Sequence, residues 1–364
     1  MLDHSTRWTV DKANQWWEAR PWVCGFNFLP SSAVNFLEMW MKDTFDPATI
    51  ERELRWASHI GFNAVRTNLH LLVWENDPAG LLERFRWFIE IAEHLGIQTV
   101  PVLFDDCGFG GFEPAYGVQP QPVPGLHNSR AVASPGRAAI MNRAAWPRYQ
   151  QYIQEFVSGF AEHPAILFWD LYNEPGQLAV FEKPGSVEQF TTEMIPFSRD
   201  LMVESFRWAR EIAPSQPLTV GAWGTPQAGH LDKPFDTEID RLALQLSDVV
   251  TFHAYTDKEQ VGRYIDWLAQ FGRPIMNTEW MARTVDSRIL DQLPLYQQRK
   301  VGCFSWGLVQ GKSQTHLPWP QLVKETDKDS TEWFHDLLWQ DGTPFDASEV
   351  KLISALTNRK QDER

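Results

Sequence analysis

Short apolar runs alternate with amphipathic stretches from one end of the chain to the other. The runs lie at 22–28, 64–67, 98–104, 166–171, 218–222, 249–253, 274–278 and 302–306. Within each the apolar residues are continuous rather than alternating, as expected for parallel strands covered on both faces. The stretches between them carry helix start and stop signals. Asp46-Pro47 reads as an N-cap and first helical position, Leu54, Trp56 and Ile60 form the apolar stripe, Gly61 ends it, and a strand follows. Asp77-Pro78 opens the next such unit, whose stripe runs through Phe85, Phe88, Ile89 and Leu95 to Gly96 and again feeds a strand. A third ends at Gly272, just before the run at 274–278.

Eight parallel strands separated by helices predict a (β/α)8 barrel, with an open doubly wound sheet as the structural rival. At 364 residues the chain accommodates one barrel with insertions, and no segment reads as a linker, so 1–364 is expected to be a single domain. The stretch 107–137 is too long for a plain connection. It is rich in glycine and proline and is expected to be an active-site loop after the third strand, able to close one end of a cleft. A polar tail is expected at 358–364.

Composition narrows the partners. Hydrophobic residues make up 43% of the chain and charged ones 22%, enough for a large core in a soluble protein. A net charge of −14 argues against nucleic acid and anionic lipid, which need a basic footprint, and favours a neutral or cationic ligand. Eighteen tryptophans supply flat apolar surface, mostly core, but also the kind of ring on which a sugar stacks. No basic-then-apolar leader opens the chain, and no apolar run approaches the ~20 residues of a membrane span. The three cysteines, Cys24, Cys107 and Cys303, suit reduced thiols, so the cytoplasm is the expected location. Cys24 and Cys303 fall on the first and last strands, which touch in a closed barrel, and read as buried thiols.

In a barrel, the chemistry sits at the C-terminal ends of the strands. The polar residues there are Asn27, Arg66, Asp105 or Asp106, Asn173 with Glu174, Trp223, His253 with Tyr255, Glu279 and Trp306. Taken singly, each has a bland reading: Arg66 in a salt bridge, His253 as a satisfied core histidine, Trp306 as packing. Two glutamates delivered to one rim are what cleavage of a glycosidic bond needs, one to protonate the leaving oxygen and one to attack the anomeric carbon.

This set resembles the clan A glycoside hydrolases, family 5 in particular, from about residue 22 to residue 356. The resemblance rests on Asn173-Glu174-Pro175 after strand four, Glu279 after strand seven, Arg66 after strand two, His253-Ala254-Tyr255 after strand six and Trp306 after strand eight. It implies a retaining hydrolase of β-glycosidic bonds in soluble oligosaccharides or small glycosides, acting from a chain end, with endo-glycanase action or a non-catalytic carbohydrate-binding barrel as alternatives. It implies no cofactor and no metal. By position, Glu174 matches the acid/base, with a raised pKa, and Glu279 the nucleophile, kept ionised by Arg66 and Tyr255. Asn173 would hold the sugar 2-hydroxyl, Trp306 would floor the sugar ring, and His253 would add a polar contact. Trp223, Asp105, Asn27 and Trp280 complete the expected sugar contacts, with further ones on loops 30–43, 74–77, 107–137 and 309–328. A retaining pair predicts carboxyl groups about 5 to 5.5 Å apart.

Other chemistries fit poorly. Gly311-Lys312-Ser313 lacks the upstream glycine of a phosphate loop, since position 306 is Trp, and Gly108-Phe109-Gly110 lacks the third glycine of a dinucleotide fingerprint. There is no Gly-x-Ser-x-Gly turn, and the ten histidines show no metal-ligand spacing, which weighs against a metal-dependent hydrolase.

Overall fold

The computed structural model describes residues 7–225, 234–323 and 332–357. The expected tail at 358–364, residues 1–6 and the end of the 309–328 loop lie outside the described residues. The described residues form ten strands: β1 (Cys24–Asn27), β2 (Ala64–Asn68), β3 (Gln98–Asp105), β4 (Trp169–Asn173), β5 (Ala179–Lys183), β6 (Ser186–Gln189), β7 (Leu218–Thr219), β8 (Val250–His253), β9 (Ile275–Trp280) and β10 (Gly302–Trp306). All but β5 and β6 form one parallel sheet in the order β7-β4-β3-β2-β1-β10-β9-β8. A parallel bridge between Ala222, just after β7, and Phe252 of β8 closes the ring. The architecture is therefore a (β/α)8 barrel and not an open sheet. Cys24 lies beside Cys303 in the β1–β10 register, and all three cysteines are free and buried.

The helices begin and end where the local chemistry asks. Asp46 accepts from Thr49 N at 3.0 Å and Asp77 from Gly80 N at 3.1 Å, capping the helices Pro47–Ile60 and Pro78–His94. Gly61 and Gly96 stop them in the left-handed region, at φ 114° and 72°. Among the described residues no helix is long and apolar enough to cross a membrane.

The barrel interior is plugged at its N-terminal end. Ala64, Val100, Phe168, Met276 and Phe304 fill it, and Trp16 and Trp17 pack beneath them from the helix Val10–Glu18. Small residues oppose large ones: a Cβ at Gly25 would lie 2.5 Å from the Phe304 ring. A sealed bottom leaves the C-terminal rim as the place for a ligand.

Two differences from the expected elements bear on function. Strands β4 and β9 run on to Asn173 and Trp280, past their apolar runs, because backbone pairing continues regardless of side-chain polarity. The antiparallel hairpin β5–β6 was not anticipated. It is tied to the 107–137 loop by a stack of Phe181 on Phe109, with ring centroids 4.4 Å apart, and by Phe181 N donating to Phe109 O at 2.8 Å.

Candidate active site

Arg66 organises the floor of the rim. It points inward from β2, is fully buried, and donates from all three of its nitrogens. Nε and one terminal nitrogen meet Asp170 Oδ2 at 2.9 and 2.8 Å, and the latter also donates to Asn173 Oδ1 at 2.7 Å. The other terminal nitrogen donates to Asn27 Oδ1 and Glu279 Oε1, each at 2.8 Å. Burial opposes the guanidinium charge, but Asp170 and Glu279 outweigh it and hold the group above its ordinary pKa.

Glu174 sits where β4 ends, in the left-handed region at φ 41°, a conformation that costs a non-glycine residue on the order of 1 kcal/mol and clusters at functional turns. Its Oε1 lies 2.9 Å from His253 Nδ1. Its Oε2 accepts from Gln177 Nε2 at 2.9 Å and from the Cys107 thiol at 3.3 Å. Across the rim, Glu279 Oε2 accepts from the Tyr255 hydroxyl at 3.0 Å and lies 3.6 Å from His253 Nδ1. One oxygen of each glutamate and the His253 nitrogen lie within 4.8 Å of one another. The two carboxyl groups thus face each other at short range, inside the separation that leaves room for a water between acid and base. An imidazole beside two carboxylates resembles a metal-binding trio, but here Arg66, Tyr255, Cys107 and Gln177 already supply the donors.

Burial raises both carboxyl groups above the usual carboxylate range. For Glu279 this departs from the expectation of a low pKa. Desolvation at the closed rim outweighs His253 and Arg66, which act to lower it, and Glu174 adds to the rise. Glu279 carries a direct guanidinium contact that Glu174 lacks, and that contact favours its charged form. His253 is held neutral, its pKa lowered to about 4 chiefly by burial. The Tyr255 hydroxyl is pushed far up by burial and by Glu279, and remains a donor.

Of the expected residues, Asn27, Arg66, Asp105, Asn173, Glu174, Trp223, His253, Tyr255, Glu279 and Trp306 line one cavity of about 450 Å³. Asn27 is wholly engaged there, accepting from Arg66 and donating to Thr278 O at 2.8 Å. Asp105 orients Asn173, accepting from its Nδ2 at 2.9 Å and from Asn68 Nδ2 at 2.8 Å. Asp106, the alternative at that strand end, is buried beneath the rim and takes Tyr172, Ser198 and Gly176 N as donors. Trp223 is half-buried, with Nε1 donating to Pro175 O at 3.1 Å.

Trp280 does not line the cavity. One residue beyond Glu279, strand alternation turns it to the other face, where it is buried edge-on against Tyr296 with centroids 4.9 Å apart. Among the loop residues, Trp40 is a core side chain whose Nε1 donates to Asn68 O at 2.7 Å, and Trp74 is buried as well. From 30–43 it is Asn35 and Phe36 that reach the cavity, and 74–77 adds nothing to it. Cys107 and His127 on the 107–137 loop and Trp319 on the 309–328 loop line the cavity, on segments expected to contribute but without having been singled out, whereas Gln177 and His335, which also line it, were missed. Sequence reasoning also missed Asp170, although a carboxylate inside an apolar run signals a buried cation.

No family model and no curated protein matches the chain. Solved structures do match over nearly its whole length. An exo-β-1,4-mannosidase from Opitutaceae bacterium strain TAV5 aligns with a TM-score of 0.59 at 15% identity, over 98% of this chain and 62% of that one. The chain thus spans less than two thirds of that enzyme. GH5_18 from Streptomyces cattleya, solved with GlcNAc, gives 0.56 at 15% identity, over 95% and 82%. A β-mannanase from the blue mussel Mytilus edulis gives 0.56 at 14%, over 93% and 92%. The likeness is one of fold, the (β/α)8 barrel that this chain shares with those glycoside hydrolases.

Proposed function

We propose that the protein is a retaining glycoside hydrolase that removes neutral sugars, β-linked mannose first among them, from the ends of short oligosaccharides. The observation that carries this reading is the opposed pair Glu174 and Glu279, with oxygens within 4.8 Å in a buried, carbohydrate-sized cavity. Glu279, braced by Arg66 and Tyr255, attacks the anomeric carbon. Glu174, dry and unpaired with any cation, protonates the leaving oxygen and then activates water for the second displacement. Asn173 lines the same cavity with Nδ2 donating to Asp105 and, weakly at 3.4 Å, to Cys107 Sγ, and the sugar 2-hydroxyl would take the place of that weak contact, while His253 spans the two carboxyl groups.

Neutral sugar is favoured by charge. Among the described lining residues Arg66 is the one Lys or Arg, and each of its nitrogens already donates to a protein oxygen. The lining histidines are held neutral: burial lowers His127 and His253 to about 4 and His335 further still. A uronic acid would find no cation but the engaged Arg66 among the described lining residues. End-wise action is favoured by the walls, since the 107–137 loop, the β5–β6 hairpin and Trp319 with His335 from the chain after β10 all bound the cavity. The alignment with an exo-mannosidase adds support for mannose.

The test is hydrolysis of aryl β-mannosides and β-glucosides and of end-labelled manno-oligosaccharides, followed by proton NMR. Single sugars released from the non-reducing end, first as the β-anomer, are expected. The α-anomer first would exclude the retaining mechanism, and internal fragments would mark an endo-glycanase.

Trp306 ends β10, is half-buried and faces the cavity, where its ring can lie under the sugar at the point of cleavage. Trp306→Ala should cost about 2 to 4 kcal/mol of transition-state stabilisation through lost stacking and looser positioning. If the ring only packs, the variant would lose thermal stability while its folded fraction kept kcat/KM, so both are measured on one preparation.

A further inference from the structure

Glu174 is gripped by a thiol that the proposed reaction does not use. Cys107 Sγ lies 3.3 Å from Glu174 Oε2 and 3.4 Å from Asn173 Nδ2, at the cavity wall. Its position is set by its own backbone, whose N–H donates to Asp105 Oδ1 at 2.8 Å, the oxygen that also takes Asn173 Nδ2. The thiol is thus part of a hydrogen-bonded chain that runs from Asn68 through Asp105 and Asn173 to Glu174. Packing alone needs no donor aimed at a carboxyl oxygen.

We propose that Cys107 is a positioning residue for Glu174, its S–H fixing the carboxyl orientation through Oε2 and trimming its proton affinity without locking it in the ionised form. This rests on the reading of Glu174 as the acid/base. A thiol is a weak donor, whereas a hydroxyl on a carboxylate makes a short, strong bond that favours the anion. A group that must start the reaction protonated is better served by the weaker one. Burial, with Asp105, Glu174 and Glu279 nearby, pushes the thiol far above its ordinary value, so it keeps its proton and stays a donor.

Other groups face Glu174 from every side: Arg66 from β2, Asp105 from β3, His253 from β8, Tyr255 just after it, Glu279 from β9, Asp240 from the helix Glu238–Leu246, and Gln177 from its own loop. Burial raises Glu174; Gln177, Cys107 and Arg66 lower it, and Asp240 raises it. Deleting the thiol removes one lowering influence and leaves the rest, so the carboxyl should hold its proton to higher pH.

The test is a carboxyl titration by NMR on full-length protein labelled with ¹³C at the glutamate side-chain carboxyl, with Glu174 assigned from its missing signal in Glu174→Gln. Cys107→Ala should move the Glu174 midpoint up by about half a pH unit, the scale of one weak hydrogen bond to a charged group. Cys107→Ser, which keeps a donor, should hold it at or below the wild-type midpoint. An unmoved midpoint in Cys107→Ala, or the same upward shift in both variants, overturns the proposal. The titration needs no substrate, so a protein that shows the shift yet cleaves no glycoside loses the functional reading and keeps the contact.

Discussion

Glu279→Gln should reduce turnover of every glycoside by on the order of 10⁴-fold or more, since no other group can form the covalent intermediate. The same change should leave the barrel at least as stable. Arg66 keeps both contacts to Asp170 and gains an amide oxygen in place of the carboxylate at its other terminal nitrogen. The buried trio of Arg66, Asp170 and Glu279 carries an excess negative charge when both acids are ionised, and burial works against it. A neutral glutamine removes that cost, so Tm should rise by about 1 to 4 °C, as when a strained functional site is relaxed. The sign follows from linkage: a carboxyl whose pKa is raised on folding weakens the fold above that pKa, and amidation abolishes the effect. Kinetics and calorimetry on one preparation test both halves. Residual turnover within a hundredfold of wild type would remove Glu279 from the nucleophile's place, and a large fall in Tm would refute the account of the Arg66 cluster.

The barrel was legible because its signals are local. Asp46-Pro47 with Gly61, and Asp77-Pro78 with Gly96, bracket helices by backbone chemistry alone, and the continuous apolar runs mark strands covered on both faces. Rim residues were legible for a related reason, since they are the polar and aromatic residues at or just past the C-terminal ends of such runs. The same rule failed at Trp280, where a one-residue step reverses the face. What stayed hidden depends on distance in sequence. His335 reaches the cavity because it bonds Met281 O and packs on Tyr255 and His127, contacts no periodicity announces. Cys107 and Gln177 lie on irregular backbone, and only the folded rim shows that both grip Glu174. The β5–β6 hairpin did leave a trace, Pro184-Gly185 between two short segments, with Gly185 in the turn at φ 87°. The raised pKa of Glu279 was not legible, because burial, which decides it, is a property of the closed site.

Glu174→Ala should separate the two steps of the reaction. Unactivated glycosides need a proton on the departing oxygen, and losing the acid should slow them by about 10²- to 10⁴-fold, the usual range for general acid catalysis. A dinitrophenyl glycoside leaves without that help, so its first step should survive and Glu279 should still be glycosylated. The intermediate then accumulates, because water is no longer deprotonated for the second step. Azide is anionic and needs no base, and the variant opens space for it beside His253, Gln177 and Cys107, the groups that now hold the carboxyl. Added azide should therefore restore turnover of the activated substrate and yield a glycosyl azide of retained configuration, identified by mass and NMR. The wild-type protein should show no such acceleration. Equal loss on activated and unactivated substrates, with no response to azide, would mean that Glu174 does not move the proton. The short gap between the carboxyl groups would then need another explanation.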